Sequence, residues 1–298
     1  MIGDPPVTLP DVALWSIPVF VGAMVLEAVA ARGSYEARDT GANIGVWLGN
    51  LVAKALTGVI AFNAFWWAFN LRLWDIPWAW WSLPLCFLGE DLAFYWFHRI
   101  SHERRWFWAT HVVHHSSQKL NFSTALRQSW TGVIGLSFIF WLPLMLIGFP
   151  PAMVFFFTAC SLIYQFWLHT ETVPKLGPLE WVFNTPSHHR VHHATNAHYL
   201  DANYGGVLII WDRLFGSFVE EDAATKPTYG IVADIATFNP LRVAFHEWIA
   251  MFADVLRAKS LRDAFLYVFG PPGWSPDGSR QTTRDIKQLA AAHRVAAE

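Results

Sequence analysis

Five stretches of the chain are almost wholly apolar, and the polar positions gather between and after them. Residues 9–31, 51–70, 77–97, 130–148 and 151–168 each approach the roughly 20 apolar residues that a transmembrane helix needs. The first has no Lys or Arg before Arg32, so it lacks the basic start of a secretory signal and is expected to stay in place. The other reading of that run is an interfacial helix. Lys54 lies one turn inside the second run, where its stem can snorkel to the interface. Between the last two runs, Gly148-Phe149-Pro150-Pro151 leaves room only for a helical hairpin. The polar blocks are 98–129 and 169–240. Apolar positions then recur at helical spacing over 241–258, a second short helix is expected from Ser260 with Asp263 in its first turn, and the glycines and prolines of 270–273 stop it. These helices either pack on the domain or lie on the membrane surface. Residues 275–298 read as a polar tail.

Cationic residues orient this pattern. Arg32 and Arg38 follow the first run; Arg99, Arg104, Arg105, Lys119 and Arg127 follow the third; Lys175, Arg190, Arg213 and Lys226 follow the fifth. The opposite side has only Arg72. The positive-inside bias puts the N-terminus outside and the polar blocks in the cytoplasm. Trp66, Trp67, Trp74, Trp78, Trp80 and Trp81 cluster between the second and third runs, as an aromatic belt at the outer interface would. The expected fold is therefore an all-α integral membrane protein of about five transmembrane helices with a helical cytoplasmic cap. Its divisions are N-terminal spans at 1–83, a central domain at 84–220 containing the 130–168 hairpin, amphipathic helices at 221–274 and the tail at 275–298.

Composition agrees and removes other classes. The chain is 54% hydrophobic and only 15% charged, against about 25% in a typical soluble domain. A formal net charge of -2 excludes a basic nucleic-acid footprint, and two cysteines, Cys86 and Cys160, exclude a disulfide framework.

The candidate chemistry lies in the histidines. Three motifs recur: His98 and His102 as HxxxH, then His111, His114 and His115 as HxxHH, then His189, His192 and His193 as HxxHH again. Residues three and four apart share one face of a helix, so each motif aims two or three imidazoles in one direction. Thr185-Pro186 supplies a helix start before the third motif. Eight neutral imidazoles so dense serve no packing purpose, and eight cationic ones would repel. A metal uses their lone pairs, and four or five nitrogen ligands per ion make two ions. Imidazole suits zinc, copper, iron and nickel alike. A single structural zinc would need only about four ligands. An all-nitrogen dinuclear site beside a bilayer points to redox chemistry on a lipid.

At these residues the chain resembles the fatty acid hydroxylase and sterol desaturase superfamily, most nearly its alkylglycerol monooxygenase branch. The likeness covers about residues 84–220 and is carried also by 95–99 (YWFHR), 121–129 (NFSTALRQS), 164–171 (YQFWLHTE), 184–193 (NTPSHHRVHH) and 203–212 (NYGGVLIIWD). Asn239-Pro240 and 269–274 (FGPPGW) are similar to that branch as well. The resemblance implies two iron ions, O2 as co-substrate and insertion of one oxygen atom into a lipid C–H bond. It carries over the eight motif histidines as iron ligands, and His169 as a ninth. An electron donor or reductase is implied, with tetrahydrobiopterin the reductant of the animal branch. The alternatives are a sterol or fatty acyl hydroxylase or desaturase and, in a different class, a non-catalytic membrane metal- or lipid-binding protein.

Metal-bound imidazoles need partners that hold their tautomer. Glu103, Asp91 and Asp201 are candidates, with an arginine salt bridge the other reading of Glu103; Asn203 is a candidate polar neighbour of the metals. His188 points away from His189 and reads as surface or as a support behind the ligands, His198 as a loop residue, and His246 and His293 as structural or solvated. Phe122, Phe166, Trp167 and Trp181 are candidate walls of a lipid channel, or plain packing.

Overall fold

The computed structural model describes residues 12–295, so the start of the first apolar run and residues 296–298 lie outside the described residues. The fold is all-helical; among the described residues the only β pairing is an isolated bridge between Phe183 and Leu208. In chain order the helices are α1 (Val12–Ala30), α2 (Ala37–Asn70), α3 (Ser82–Glu103), α4 (Arg105–His115), α5 (Leu142–Ile147), α6 (Pro151–Phe166), α7 (Pro186–His192), α8 (Ile210–Phe215), α9 (Pro240–Leu256), α10 (Leu261–Phe269) and α11 (Thr283–Val295).

The second apolar run is only the latter half of α2, a 34-residue helix about 51 Å long at 1.5 Å per residue. Its first half is polar on one face and belongs to the histidine domain. Asp39 accepts from Ser117 Oγ (2.5 Å) and from the buried Arg127 (3.4 Å), Asn43 Nδ2 donates to Ser123 Oγ (2.9 Å), and Asn50 Nδ2 donates to the Ser129 carbonyl (2.5 Å). The same stretch is notched by Gly45, against Pro240, and by Gly49, where the Trp130 indole lies so close that a Cβ would meet its Cζ2 at 2.0 Å. Trp130 Nε1 then donates to the Val46 carbonyl (2.7 Å). Beyond residue 50 the outward face is apolar and bare, with Leu56, Val59, Ile60, Phe62, Trp66 and Trp67 exposed. α2 is the one helix among the described residues long and apolar enough to cross a membrane by length and composition.

Inward, Phe65, Phe69, Cys86, Met145 and Met153 form one core that joins α2, α3, α5 and α6. A second, of Ala109, Trp248 and Met251, seats α9 on α4. α1 is held by one buried acid: Glu27 accepts from Tyr35 Oη (2.7 Å), from the Phe122 amide (2.8 Å) and from Thr170 Oγ1, one residue beyond His169.

One expectation is corrected. Residues 130–148 are not one helix. After Thr131 the backbone makes turns over 132–136, a 3₁₀ segment at Ser137–Trp141 and only then α5. Leu136 adopts the left-handed region (φ 62°), which breaks the helix. The segment nevertheless climbs from Thr131, against Trp248 Nε1 (2.9 Å), to Gly148. At Gly148 (φ 124°) any Cβ would lie 2.0 Å from the Trp74 carbonyl, so glycine is required there. Within the polar stretch after residue 275, residues 283–295 form α11. Its start is fixed by Asp285, which accepts from the Thr282 amide and hydroxyl (2.9 and 2.7 Å). Arg280 clamps the approach to Asp254 through two bonds (2.5 and 2.7 Å), and Arg105 shares that carboxylate. The start at Ser260 holds: its hydroxyl caps the Asp263 amide (3.0 Å).

Candidate metal centre

The three motifs sit at helix ends that meet. His98 and His102 lie in the last turns of α3, His111, His114 and His115 in the last turns of α4, and His189 and His192 on α7, with His193 at its C-terminus. His169 follows the end of α6. Pro186 occupies the first turn of α7, but the Thr185 hydroxyl does not cap it; it donates to Glu180 Oε1 (2.8 Å), which also receives Ser187 Oγ (2.7 Å).

The nine imidazoles fall into two adjoining groups. One is His98, His102, His111, His115 and His192; the other is His114, His169, His189 and His193; within each, the possible ligand atoms lie within 4.8 Å of one another. The Nε2 atoms approach in a chain: His192 to His115 (3.1 Å), His115 to His111 (3.1 Å), His114 to His169 (3.1 Å), His169 to His189 (3.0 Å) and His189 to His193 (3.1 Å).

The other ring nitrogens explain this orientation. His98 Nδ1 faces the Tyr204 carbonyl (2.8 Å), His192 Nδ1 the Ala202 carbonyl (2.9 Å), His169 Nδ1 the Gln165 carbonyl (2.9 Å) and His114 Nδ1 the Arg127 carbonyl (3.2 Å). His102 Nδ1 faces Asp201 Oδ1 (3.2 Å). A carbonyl or carboxylate oxygen only accepts, so each of these rings carries its proton on Nδ1 and turns a bare Nε2 lone pair inward. Lone pairs crowded at 3.0–3.1 Å repel unless a cation lies between them. Nitrogen ligands around an ion bound at about 2.1 Å sit about 3 Å apart, so the donor set fits metal ions. His98 Nε2 and His102 Nε2 are buried with no hydrogen-bond partner among the described residues, as inward-facing ligand atoms would be. Burial, reinforced by the neighbouring imidazoles, holds His111, His115, His189, His192 and His193 well below the usual histidine range. Burial brings His114 down to about 4. These rings are neutral, the form that binds metal.

The loop after α7 supplies three of the five acceptors. Asp201 (φ 48°) and Asn203 (φ 57°) take the left-handed conformation, which Asp and Asn tolerate, on either side of Ala202. Asp212 fixes the loop by accepting from the Tyr204 and Gly205 amides and from Ser217 Oγ, all at 2.7 Å, while burial keeps its carboxyl up at about 6. Asn184 Nδ2 donates to the Gly205 carbonyl (2.6 Å).

Of the expected supports, only Asp201 reaches an imidazole. Asp91 does not: it accepts from the Val207 and Leu208 amides (2.8 and 3.1 Å) and from Trp211 Nε1 (2.9 Å), and so ties the loop to α3. Asn203 braces backbone at His188 and Val219, and Glu103 pairs with Arg99 (2.8 Å). His188 is buried beside Glu180 (3.8 Å), outside both groups. His198 lies against the Tyr199 ring at a tilt, His246 faces the Val243 carbonyl (3.0 Å), and His293 is exposed. Backbone carbonyls do most of the tautomer setting, and sequence reasoning missed them because every residue carries one.

A cavity of about 230 Å³ opens on His98, His111, His114, His169 and His189, and runs between α2, α3 and α6 as far as Lys54. Phe166 lines it, with Phe122 stacked behind (5.0 Å between ring centres); Trp167 does not line it, and Trp181 is 71% exposed on the outside.

Residues 83–217 match the family described as fatty acid hydroxylase. The match covers one segment, somewhat less than half of the chain. It contains all nine imidazoles and the loop that orients them. Over 91% of its length the chain is 41% identical to the alkylglycerol monooxygenase of Homo sapiens, of which it covers 62%. It is 44% identical to that of Xenopus tropicalis over 71% of its length, covering 47% of the relative. The chain thus spans about half to three fifths of these curated relatives. An ornithine lipid hydroxylase of Rhizobium tropici is 26% identical over 57% of the chain, which covers 51% of it. No solved structure matches.

Proposed function

We propose that this chain is an O2-dependent di-iron lipid monooxygenase that hydroxylates a C–H bond of an ether lipid of the alkylglycerol type. The observation that carries the reading is the convergence of nine imidazoles in adjoining groups of five and four, five of which, His98, His111, His114, His169 and His189, open on a cavity that runs along apolar helices. His98, His102, His111, His115 and His192 would hold one ion, and His114, His169, His189 and His193 the other. Bound there, iron supplies O2 activation, one oxygen atom entering the lipid and the other leaving as water with two electrons and two protons from a reductant. The protein holds the ligand geometry through the carbonyls of Tyr204, Ala202, Gln165 and Arg127. Phe97, Phe94 and Phe166 keep bulk water from the reacting end of the cavity and lay a chain across it. Hydroxylation beside an ether oxygen yields a hemiacetal, which separates into an aldehyde and an alcohol. The name of the alkylglycerol monooxygenases that the chain is similar to supports the ether lipid, and the ornithine lipid hydroxylase supports lipid oxidation more broadly.

In this reading α1, the latter half of α2, α3 and α6 cross the bilayer, and the irregular 130–148 segment crosses among them. Non-helical backbone at that depth is tolerated where it lines a cavity, as Gly132 and Ser137 do here. The N-terminus is then outside and the imidazoles at the cytoplasmic face, where the lipid enters sideways from the inner leaflet. Protein purified anaerobically from iron-replete cells should contain about two irons per chain and consume O2 when given an alkylglycerol and tetrahydrobiopterin or a reductase. Aldehyde release identifies the ether lipid. Uptake with sterols or fatty acyl lipids only would move the substrate, and one zinc with no O2 uptake under any reductant would sink the oxygenase reading.

A further inference from the structure

The far wall of the cavity holds two polar atoms that the metal centre does not use. Glu90, on α3, is fully buried, and its Oε1 receives Trp141 Nε1 at 3.3 Å. Its Oε2 makes no well-formed hydrogen bond among the described residues, since neighbouring Thr158 gives its hydroxyl to the Val154 carbonyl (2.9 Å), and the buried hydroxyl of Ser137, on the irregular segment, has no partner there either. Both residues line the same cavity as the imidazoles. Unpaired buried polar atoms are costly, so two facing one cavity point to a ligand that completes them. Their chemistry is complementary to hydroxyl groups: a carboxyl oxygen accepts a hydroxyl proton, and a serine hydroxyl donates or accepts. Glu90 stands eight residues before His98 on one helix, about 12 Å at 1.5 Å per residue. Less the reach of both side chains, that interval is of the order of the few bonds between a glycerol hydroxyl and the carbon beside its ether oxygen. Lys54 lies at the exposed end of the cavity, and a second cavity of about 290 Å³, which shares Lys54 and Ser137, continues along α2. That second chamber is walled by Phe65, Phe138, Val154 and Phe155 and suits the alkyl chain.

We propose that Glu90 and Ser137 form the specificity site of this chain, binding the two free hydroxyls of a monoalkyl glycerol so that the ether-bearing carbon lies toward the imidazoles. This rests on the ether-lipid reading and adds a binding determinant that can be measured apart from turnover. A site built to hydrogen-bond a hydroxyl rejects an analogue that lacks it. The probes are 1-O-hexadecylglycerol and its 2,3-di-O-methyl ether, bound to the full chain in phosphatidylcholine nanodiscs, with metal content and O2 uptake followed in the same samples. The unaltered chain should bind the diol about tenfold or more tightly than the capped ether. Glu90→Leu should abolish that preference and Ser137→Ala should reduce it several-fold, both keeping metal content and capped-ether affinity. Equal binding of the two lipids by the unaltered chain would overturn the proposal, whatever the O2 uptake. So would a preference that survives in both variants, or a loss of both lipids together in both variants, which would make the two groups structural. A Glu90-dependent diol preference without O2 uptake would leave this site standing and remove the oxygenase reading instead.

Discussion

At the residue scale, the centre depends on which ring nitrogen carries the proton. Asp201 holds the His102 tautomer through a single bond at 3.2 Å. Asp201→Asn keeps the size but can present an N–H to the ring, so metal affinity should fall about 10- to 100-fold, read by competition with a chelator. Glu103→Gln, which loses only the Arg99 pair, should change that affinity little. The depressed imidazoles also set a pH dependence. Unfolded histidines take up protons near pH 6.5. In the folded chain His114 does so only at about 4, and the rings held well below their usual range lower still. The unfolded state therefore binds more protons below about pH 6.5, and stability must fall as pH falls through that window. Chelator-treated protein should show a progressive drop in Tm from pH 7 to pH 5, and a flat profile would contradict the buried, neutral assignment. The sequence reveals the imidazoles because i, i+3 and i+4 spacing survives folding unchanged. It does not reveal the carbonyls of Tyr204 and Ala202, whose direction is set by left-handed turns at Asp201 and Asn203. Asp91 misleads for a related reason: a lone acid in an apolar run announces a buried partner but not which one, and here the partners are two amides and an indole.

At the scale of elements, helix ends with strong periodicity or caps were legible, among them the α9 pattern and the Ser260 cap of α10. The 130–148 segment was not, because apolar composition reports burial rather than backbone shape. Its turns are fixed by tertiary contacts that no local pattern encodes: Gly135 presses on Thr110, and its carbonyl receives Trp106 Nε1 (3.1 Å). α11 escaped for the opposite reason, being polar enough to resemble a tail. Two contacts carry measurable weight. Gly49→Ala places a methyl group inside the Trp130 ring position and should destabilise the protein by about 1–3 kcal/mol, loosening the Trp130 indole from α2. Asp91→Ala leaves buried donors unpaired at about 1–3 kcal/mol each, so the 199–217 loop should gain amide exchange before the helices do.

At the scale of the whole molecule, the exposed sides of α1 and α2 and the tryptophans about the α2–α3 turn form an apolar surface far larger than a soluble monomer shows. The proposed topology puts that surface in lipid and the imidazoles at its cytoplasmic edge. Single cysteines in a chain with Cys86 and Cys160 replaced test it. A cysteine at exposed Leu73 should react with an impermeant reagent from outside, and one at exposed Leu214 only after the membrane is opened. Labelling of residue 214 in sealed cells would reverse the orientation.

The order in which the imidazoles occur along the chain has a consequence in time. During synthesis, His193 is the last of the nine to be made, and the carbonyls of Ala202 and Tyr204 and the carboxylate of Asp201 come later still. A nascent chain that has reached residue 195 already owns every nitrogen yet cannot hold His98, His102 or His192 in the ligating tautomer. Under the proposed topology four helices have entered the bilayer by then, so the proposed iron would arrive at a chain already in its membrane, and its delivery would be a late, separate step of biogenesis.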